Sequence, residues 1–187
     1  TVVSPPLSHL NLFEHMRLRL LAAVAGLLLP LAGAGPALAD DEATAVSLTS
    51  QALQTIDDGE LAVAPLGSAR ELRPAVFALQ VSKVSLSTSG KLRAIRLIGG
   101  LRLSGETGPL DLTKLRLNFS SRRASVRDSV SGLRVAVFDV GRLKFSDGKV
   151  RGVLLIAPGA SAVFNGQFDT YVFRDGLRFA RFSYPLK

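Results

Sequence analysis

The segment PLDLTKLRLNF (109–119) alternates apolar and polar residues with the two-residue period of a half-buried β-strand. Leu110 and Leu112 fall on one face. Leu115, Leu117 and Phe119 resume the alternation out of phase, which predicts a β-bulge near Thr113-Lys114. The same period recurs in VSKVSLSTSG (81–90), which ends in a polar turn, in GLRVAVFDV (132–140) and in GKVRGVLLI (148–156). Asp147-Gly148 between the last two is a hairpin signal. In GLRFARFSY (176–184), Arg178, Ala180, Phe182 and Tyr184 share one side, and Leu177, Phe179, Arg181 and Ser183 the other.

Two stretches read as short helices. SLTSQALQTIDDG offers Thr49 or Ser50 as N-cap and Gly59 as terminator. APGASAVFNG opens at Pro158 and is expected to end at Asn165-Gly166. PLGSARELRP (65–74) reads as the longest loop. Many short strands joined by Gly-rich turns give the expected fold class: mainly β, an antiparallel β-sandwich or open barrel with two short helices.

The N-terminal part reads differently. Met16 is followed by Arg17 and Arg19, an apolar run from Leu20 to Leu31, and Ala37-Leu38-Ala39 before Asp40-Asp41-Glu42. This is the pattern of a secretory signal over 16–39 with cleavage signalled by Ala37 and Ala39. The apolar run is too short for a membrane span and is broken by Pro30 and Gly33. Residues 1–15 lie upstream of the expected start. The expected mature chain is one domain over 40–187, with no second apolar stretch long enough to span a membrane, exported or held at the outer face of the cell envelope.

Losing Arg17, Arg19 and Glu14 takes the formal net charge from +8 to +7. The cut also removes His9, His15 and Met16, so residues 40–187 contain no His, Met, Cys or Trp. That composition excludes disulfides, thiolate nucleophiles and zinc sites built on Cys. It also excludes Ser–His catalysis and the usual general base at neutral pH. No EF-hand-type run is present. The carboxylates Asp111, Asp128, Asp139, Asp147, Asp169 and Asp175 are the remaining candidates for acid–base work, but Asp147-Gly148 and Asp175-Gly176 are ordinary turn pairs. The chain therefore reads as non-catalytic, with no metal site and no nucleic-acid recognition motif.

GGLRLSGETGPLDLTKLRLNF (99–119), LRVAVFDVG (133–141) and LIAPGASAVFNGQFDTYVFRDGLRFARF (155–182) resemble successive segments of the HtaA-type domain family. SLTSQALQTIDDGELAVAPLGSA (47–69) is similar to the opening of small secreted proteins that carry this domain. The resemblance implies a cell-surface protein of high-GC Gram-positive bacteria that handles haem. The family's haem site is a Tyr near the N-terminal end of the domain, supported by a His. Here both tyrosines, Tyr171 and Tyr184, are C-terminal, and no ligand position carries over.

Three groups of residues are candidates for binding. Tyr171 or Tyr184 could ligate haem iron through tyrosinate oxygen, against the bland reading of an aromatic ring packed with its hydroxyl wet. Arg102, Lys114, Arg116 and Arg134 lie in a basic central region with Arg93, Arg96, Arg122, Arg123 and Arg127. A sheet face of such residues could hold anionic wall polymers or lipid headgroups with no haem role, against the bland reading of a solvated surface. Phe145, Phe164, Phe168, Phe173, Phe179 and Phe182 cluster late in the chain, as core or as the wall of an apolar pocket.

Overall fold

The structure is a computed structural model that describes residues 43–127 and 132–186. The segment 1–15, the expected signal with Ala37 and Ala39, and Asp128 lie outside the described residues. Twelve strands and two helices follow in chain order. They are β1 (Ala43–Leu48), α1 (Ser50–Asp58), β2 (Ala62–Leu66), β3 (Arg70–Arg73), β4 (Val76–Leu86), β5 (Leu92–Ile98) and β6 (Gly100–Gly105). Then come β7 (Gly108–Thr113), β8 (Arg116–Asn118), β9 (Arg123–Arg127), β10 (Arg134–Ser146), β11 (Lys149–Ile156), α2 (Ala160–Phe168) and β12 (Arg178–Pro185).

The fold is mainly β and antiparallel with two short helices, and the main sheet closes on itself. Its order is β1-β12-β11-β10-β9-β8-β5-β4, and β1 also pairs with β4, which makes an eight-stranded barrel. β1 closes the ring because it pairs along both edges: Val46 lies opposite Phe182 on one side and Phe77 on the other. β3 hangs on the outer end of β4, and β2, β6 and β7 form a separate three-stranded sheet. The expected loop over 65–74 is therefore part of two strands, β2 and β3. Its backbone groups find ladder partners in β6 and β4 that are distant in sequence.

The out-of-phase step at Thr113-Lys114 is a change of sheet and not a bulge. β7 belongs to the small sheet and β8 to the barrel. Lys114 takes φ 51° at the joint, and its N–H donates to the Gly99 carbonyl at 3.2 Å. Gly99-Gly100 is where the chain makes the opposite move, from β5 to β6. Gly99 has φ +74°, and a Cβ there would lie 2.6 Å from the Ala69 nitrogen. A Cβ on Gly100 would lie 2.2 Å from the Leu112 carbonyl oxygen. Only a residue without a side chain lets the outgoing and returning chains cross this closely.

The helices sit at one end of the barrel, where β1 ends and β12 begins. Thr49 caps α1 by accepting the Ala52 N–H at 3.1 Å. Its own N–H donates to the Phe179 carbonyl at 3.1 Å, so the cap also fixes the helix to β12. α2 continues through Asn165-Gly166 to Phe168. Asn165 does not end it because its amide is engaged elsewhere: Nδ2 donates to the Phe173 carbonyl at 2.9 Å, and Oδ1 accepts the Phe173 N–H at 3.0 Å. Asp169, at φ 48°, makes the left-handed exit instead.

Beneath the helices lies a cluster of aromatic rings. Phe138 stacks on Phe179 with centroids 5.1 Å apart, and Phe164 meets Phe173 at 5.1 Å and Phe138 at 6.2 Å. Phe179 reaches the core although Ala180 and Phe182 beside it are buried as well. The β11–β12 register shifts there, between Leu154 and Leu155, and the shift turns an otherwise outward position inward. Of the six late phenylalanines, five are core and Phe145 is exposed. Phe164, fully buried among three other rings, is the most sensitive of them. Phe164→Ala should lower unfolding free energy by about 3–5 kcal/mol in urea titration, with far-UV circular dichroism unchanged before the transition.

Candidate functional site: a cavity at the barrel end away from the helices

The end of the barrel away from the helices holds a cavity of about 930 Å³. This lies within the range of about 300–1,000 Å³ typical of small-molecule sites. Its walls are apolar: Val84, Leu92, Phe119, Leu143 and Tyr184. Leu86, Phe145 and Leu186 add apolar surface and, like Val84, stay exposed, which places them at the mouth. Behind Phe119, Phe182 stacks at 6.0 Å. The charged residues of the lining are Lys91 and Arg93, and no carboxylate accompanies them. An apolar ligand that carries negative charge matches this lining; a cationic one does not.

Local hydrogen bonds shape the rim. The β4–β5 turn is tied by the Ser87 N–H to the Lys91 carbonyl at 2.8 Å and by the Lys91 N–H to Ser87 Oγ at 3.0 Å. Ser87 and Ser89 hydroxyls meet at 2.9 Å. This sets Lys91 at the cavity edge. Asn118 Oδ1 accepts the N–H groups of Ser120 and Ser121, each at 3.1 Å, and so turns the chain after β8. The Phe119 N–H donates to the Arg93 carbonyl at 2.8 Å and fixes the ring to the start of β5.

Tyr184 is the group in the cavity with distinctive chemistry. It sits on the inward face of β12, opposite fully buried Val150 in the β11 register, and is 7% exposed. Its hydroxyl pairs with no described residue and is not enclosed, so the oxygen stays open to solvent in the cavity. Tyr171 lies after α2, at the opposite end of the barrel, and is 89% exposed. The structure thus separates the two tyrosines that the sequence offers as alternatives.

The four basic candidates do not form one surface. Arg102 is in the small sheet, directly opposite Asp111, and grips it with two N–H···O bonds of 2.7 and 2.8 Å. Lys114 is the exposed joint between sheets, and its carbonyl accepts from Arg134 Nη1 at 3.0 Å. Arg116 and Arg134 stand on the outer wall of the barrel. The candidate carboxylates are dispersed as well. Asp147 is in the β10–β11 turn, 3.3 Å from Arg151, and Asp169 is the α2 exit. Asp175 accepts the Gly159 N–H at 2.8 Å and the Ser161 N–H at 3.2 Å, at the start of α2. None of them lines the cavity. Among the described residues no group of His, Cys, Asp or Glu could hold a metal ion, and no helix is long and apolar enough to cross a membrane.

Sequence reasoning reached Tyr184, Phe145 and, within the basic central region, Arg93, but not the rest of the cavity. Ser87–Arg93, Phe119 and Leu143 come from separate hairpins that only barrel closure brings together. The polar turn at 87–90, followed by two cations, was the available signal.

No family model matches the chain, and no curated protein matches it in sequence. Among solved structures, the C-terminal domain of HtaA from Corynebacterium glutamicum superposes with a TM-score of 0.54 at 15% identity, covering 78% of this chain and 97% of that one. The fold is that of an HtaA-type domain. A domain-swapped dimer of a variant of the same domain also aligns, with TM-score 0.45, 15% identity and 72% and 90% coverage. At this identity the likeness to HtaA concerns the fold.

Two carboxyls in this HtaA-type fold couple stability to pH. The hydrogen bonds from Arg102, and to a lesser degree its charge, hold Asp111 below the ordinary 3.8, with desolvation opposing. The Ser161 hydroxyl, then the Gly159 N–H, hold Asp175 below the same value. A depressed carboxyl contributes stability above its unfolded value and loses it as pH falls through the folded one. Asp111→Asn and Asp175→Asn should therefore each flatten the fall of Tm below about pH 4, measured by thermal melts from pH 7 downward.

Proposed function

We propose that the protein is an exported, non-catalytic envelope protein that binds haem, or a similar flat apolar ligand bearing carboxylates, in the cavity at the barrel end. The observation that carries this reading is Tyr184: an inward-facing tyrosine whose hydroxyl opens into an apolar cavity edged by Lys91 and Arg93. The residues present fit the group. A tyrosine oxygen is a recognised axial ligand of haem iron. Leu92, Phe119 and Leu143 supply apolar walls for a macrocycle. Lys91 and Arg93 are placed to meet propionates with charge-assisted hydrogen bonds. Haem, when bound, would supply a coordinating iron and an intense absorption band; the protein supplies the oxygen, the walls and the charges.

The HtaA-type resemblance supports the same ligand class and a place at the cell surface, in agreement with the secretory pattern of 16–39. The position of the tyrosine differs from the family's. Here the candidate ligand stands on the last strand and has no histidine to assist it, so the site would be an independent arrangement within the same barrel.

Haemin titration followed at the Soret band tests this reading. Saturable one-to-one binding with a tyrosinate-type spectrum is expected. Tyr184→Phe, which keeps the ring and its packing, should weaken binding at least about tenfold, or about 1.4 kcal/mol. Lys91→Gln and Arg93→Gln should each weaken it by a few-fold, as expected of exposed charge pairs. Tyr171→Phe should bind as the parent does. Non-saturating binding, or equal binding by the Tyr184→Phe protein, would remove haem from the function.

A further inference from the structure

The outer wall of the barrel carries a line of cations that the cavity does not explain. Lys83 on β4 lies opposite Arg96 on β5; Arg96 lies opposite Arg116 on β8; Arg116 lies opposite Ser125 on β9. Residues directly opposite on neighbouring strands share a face. Ile95, Leu117 and Ala124, one step along these strands, are fully buried inside the barrel, so the cations point outward. Arg134 on β10 completes the line by folding back over Ser125, with Nη1 3.3 Å from its carbonyl and 3.5 Å from its hydroxyl. The four cationic groups thus lie over β4, β5, β8 and β9, a span of roughly 14 Å at about 4.8 Å per strand.

Like charges placed opposite each other on a sheet are destabilising. The protein relieves such a position elsewhere: Arg102 has Asp111 directly across from it. Among the described residues no carboxylate pairs with any member of this row; the ion pairs Arg102–Asp111 and Arg151–Asp147 lie elsewhere. Arg116 Nε is buried with no partner. Burial, and then the charges of Arg96, Arg116 and Arg127, lower the pKa of the Arg134 guanidinium. An uncompensated donor and a line of mutually repelling cations are together the complement of an anionic ligand.

We propose that this row binds a linear phosphate polyanion laid across the strands. Three of the four cations are arginines, whose forked donors match phosphate oxygens. The wall of a closed barrel is convex across its strands. A flexible chain follows all four positions around that curve, whereas a flat headgroup plane touches only part of it.

The test is binding of long-chain inorganic polyphosphate by the protein at about 0.15 M salt, with inorganic phosphate and phosphatidylglycerol vesicles as alternatives. Arg96→Gln/Arg134→Gln should lose about tenfold or more in affinity, because each cation removed takes a counterion-releasing contact with it. Arg178→Gln/Arg181→Gln, which removes equal charge from β12, should lose less than about twofold. The first variant should also melt at or above the parent's temperature, since repulsion is relieved; a loss of affinity then reflects the site and not the fold. Polyphosphate should raise the Tm of the parent and leave that of the first variant unchanged. Equal losses in both variants would reduce the effect to net charge and overturn the site. Tighter binding to vesicles than to polyphosphate, or no binding at this salt concentration, would overturn the ligand assignment.

Discussion

The pairing of β1 with both β12 and β4 is the interaction on which the rest of the structure depends. Without it the eight strands are an open sheet with two unsatisfied edges, and such edges invite other chains. With it, inward positions on strands remote in sequence converge. Val46 is brought between Phe77 and Phe182, and the fixed ring of eight leaves an interior just wide enough for side chains or one small ligand. Closure also gives the two ends of the barrel different fates. At one end α1, α2 and their phenylalanines fill the interior. At the other the hairpins carry small or rim-seeking side chains, and a cavity remains.

That asymmetry follows from where large rings fall along β12. Phe179 enters the aromatic cluster through a register shift, Phe182 stacks on Phe119 midway, and Tyr184 meets the cavity. A single strand therefore passes from packed core to candidate site within six residues. The same strand also anchors α1 through the Thr49 N–H. The core at the helix end is thus the scaffold that positions Tyr184, and a site on rigid strands holds its geometry better than one on loops.

Charge is distributed by the same topology. The small sheet of β2, β6 and β7 pairs its arginine with an aspartate, while the barrel wall leaves its row of cations unanswered. The two regions are joined at Gly99-Gly100 on the way out and at Lys114 on the way back, so neighbouring residues of one short segment serve opposite electrostatic roles. Arg102 belongs to a neutralised pair. Arg116, fourteen positions later and across the joint, belongs to a line of like charge on the barrel wall.

The sequence by itself determined the local elements and the excluded chemistry. The Asp147-Gly148 turn with both residues at positive φ and the Thr49 cap are short-range facts, and each appears where its pattern placed it. The absence of His and Cys from 40–187 bounded the chemistry without any structure. Tertiary structure alone decided the rest. The phase break at Thr113-Lys114 reads as a bulge locally and is a change of sheet, because sheet membership depends on partners dozens of residues away. Asn165-Gly166 looks like a helix end and is not, because Phe173 claims the asparagine amide. Phe179 points inward against its alternation because β11 imposes a shifted register. Tyr171 and Tyr184 are equivalent as letters. Barrel closure puts one in solvent and the other in a cavity, since burial is a property of the partners that surround a residue and not of the residue's own place in the chain.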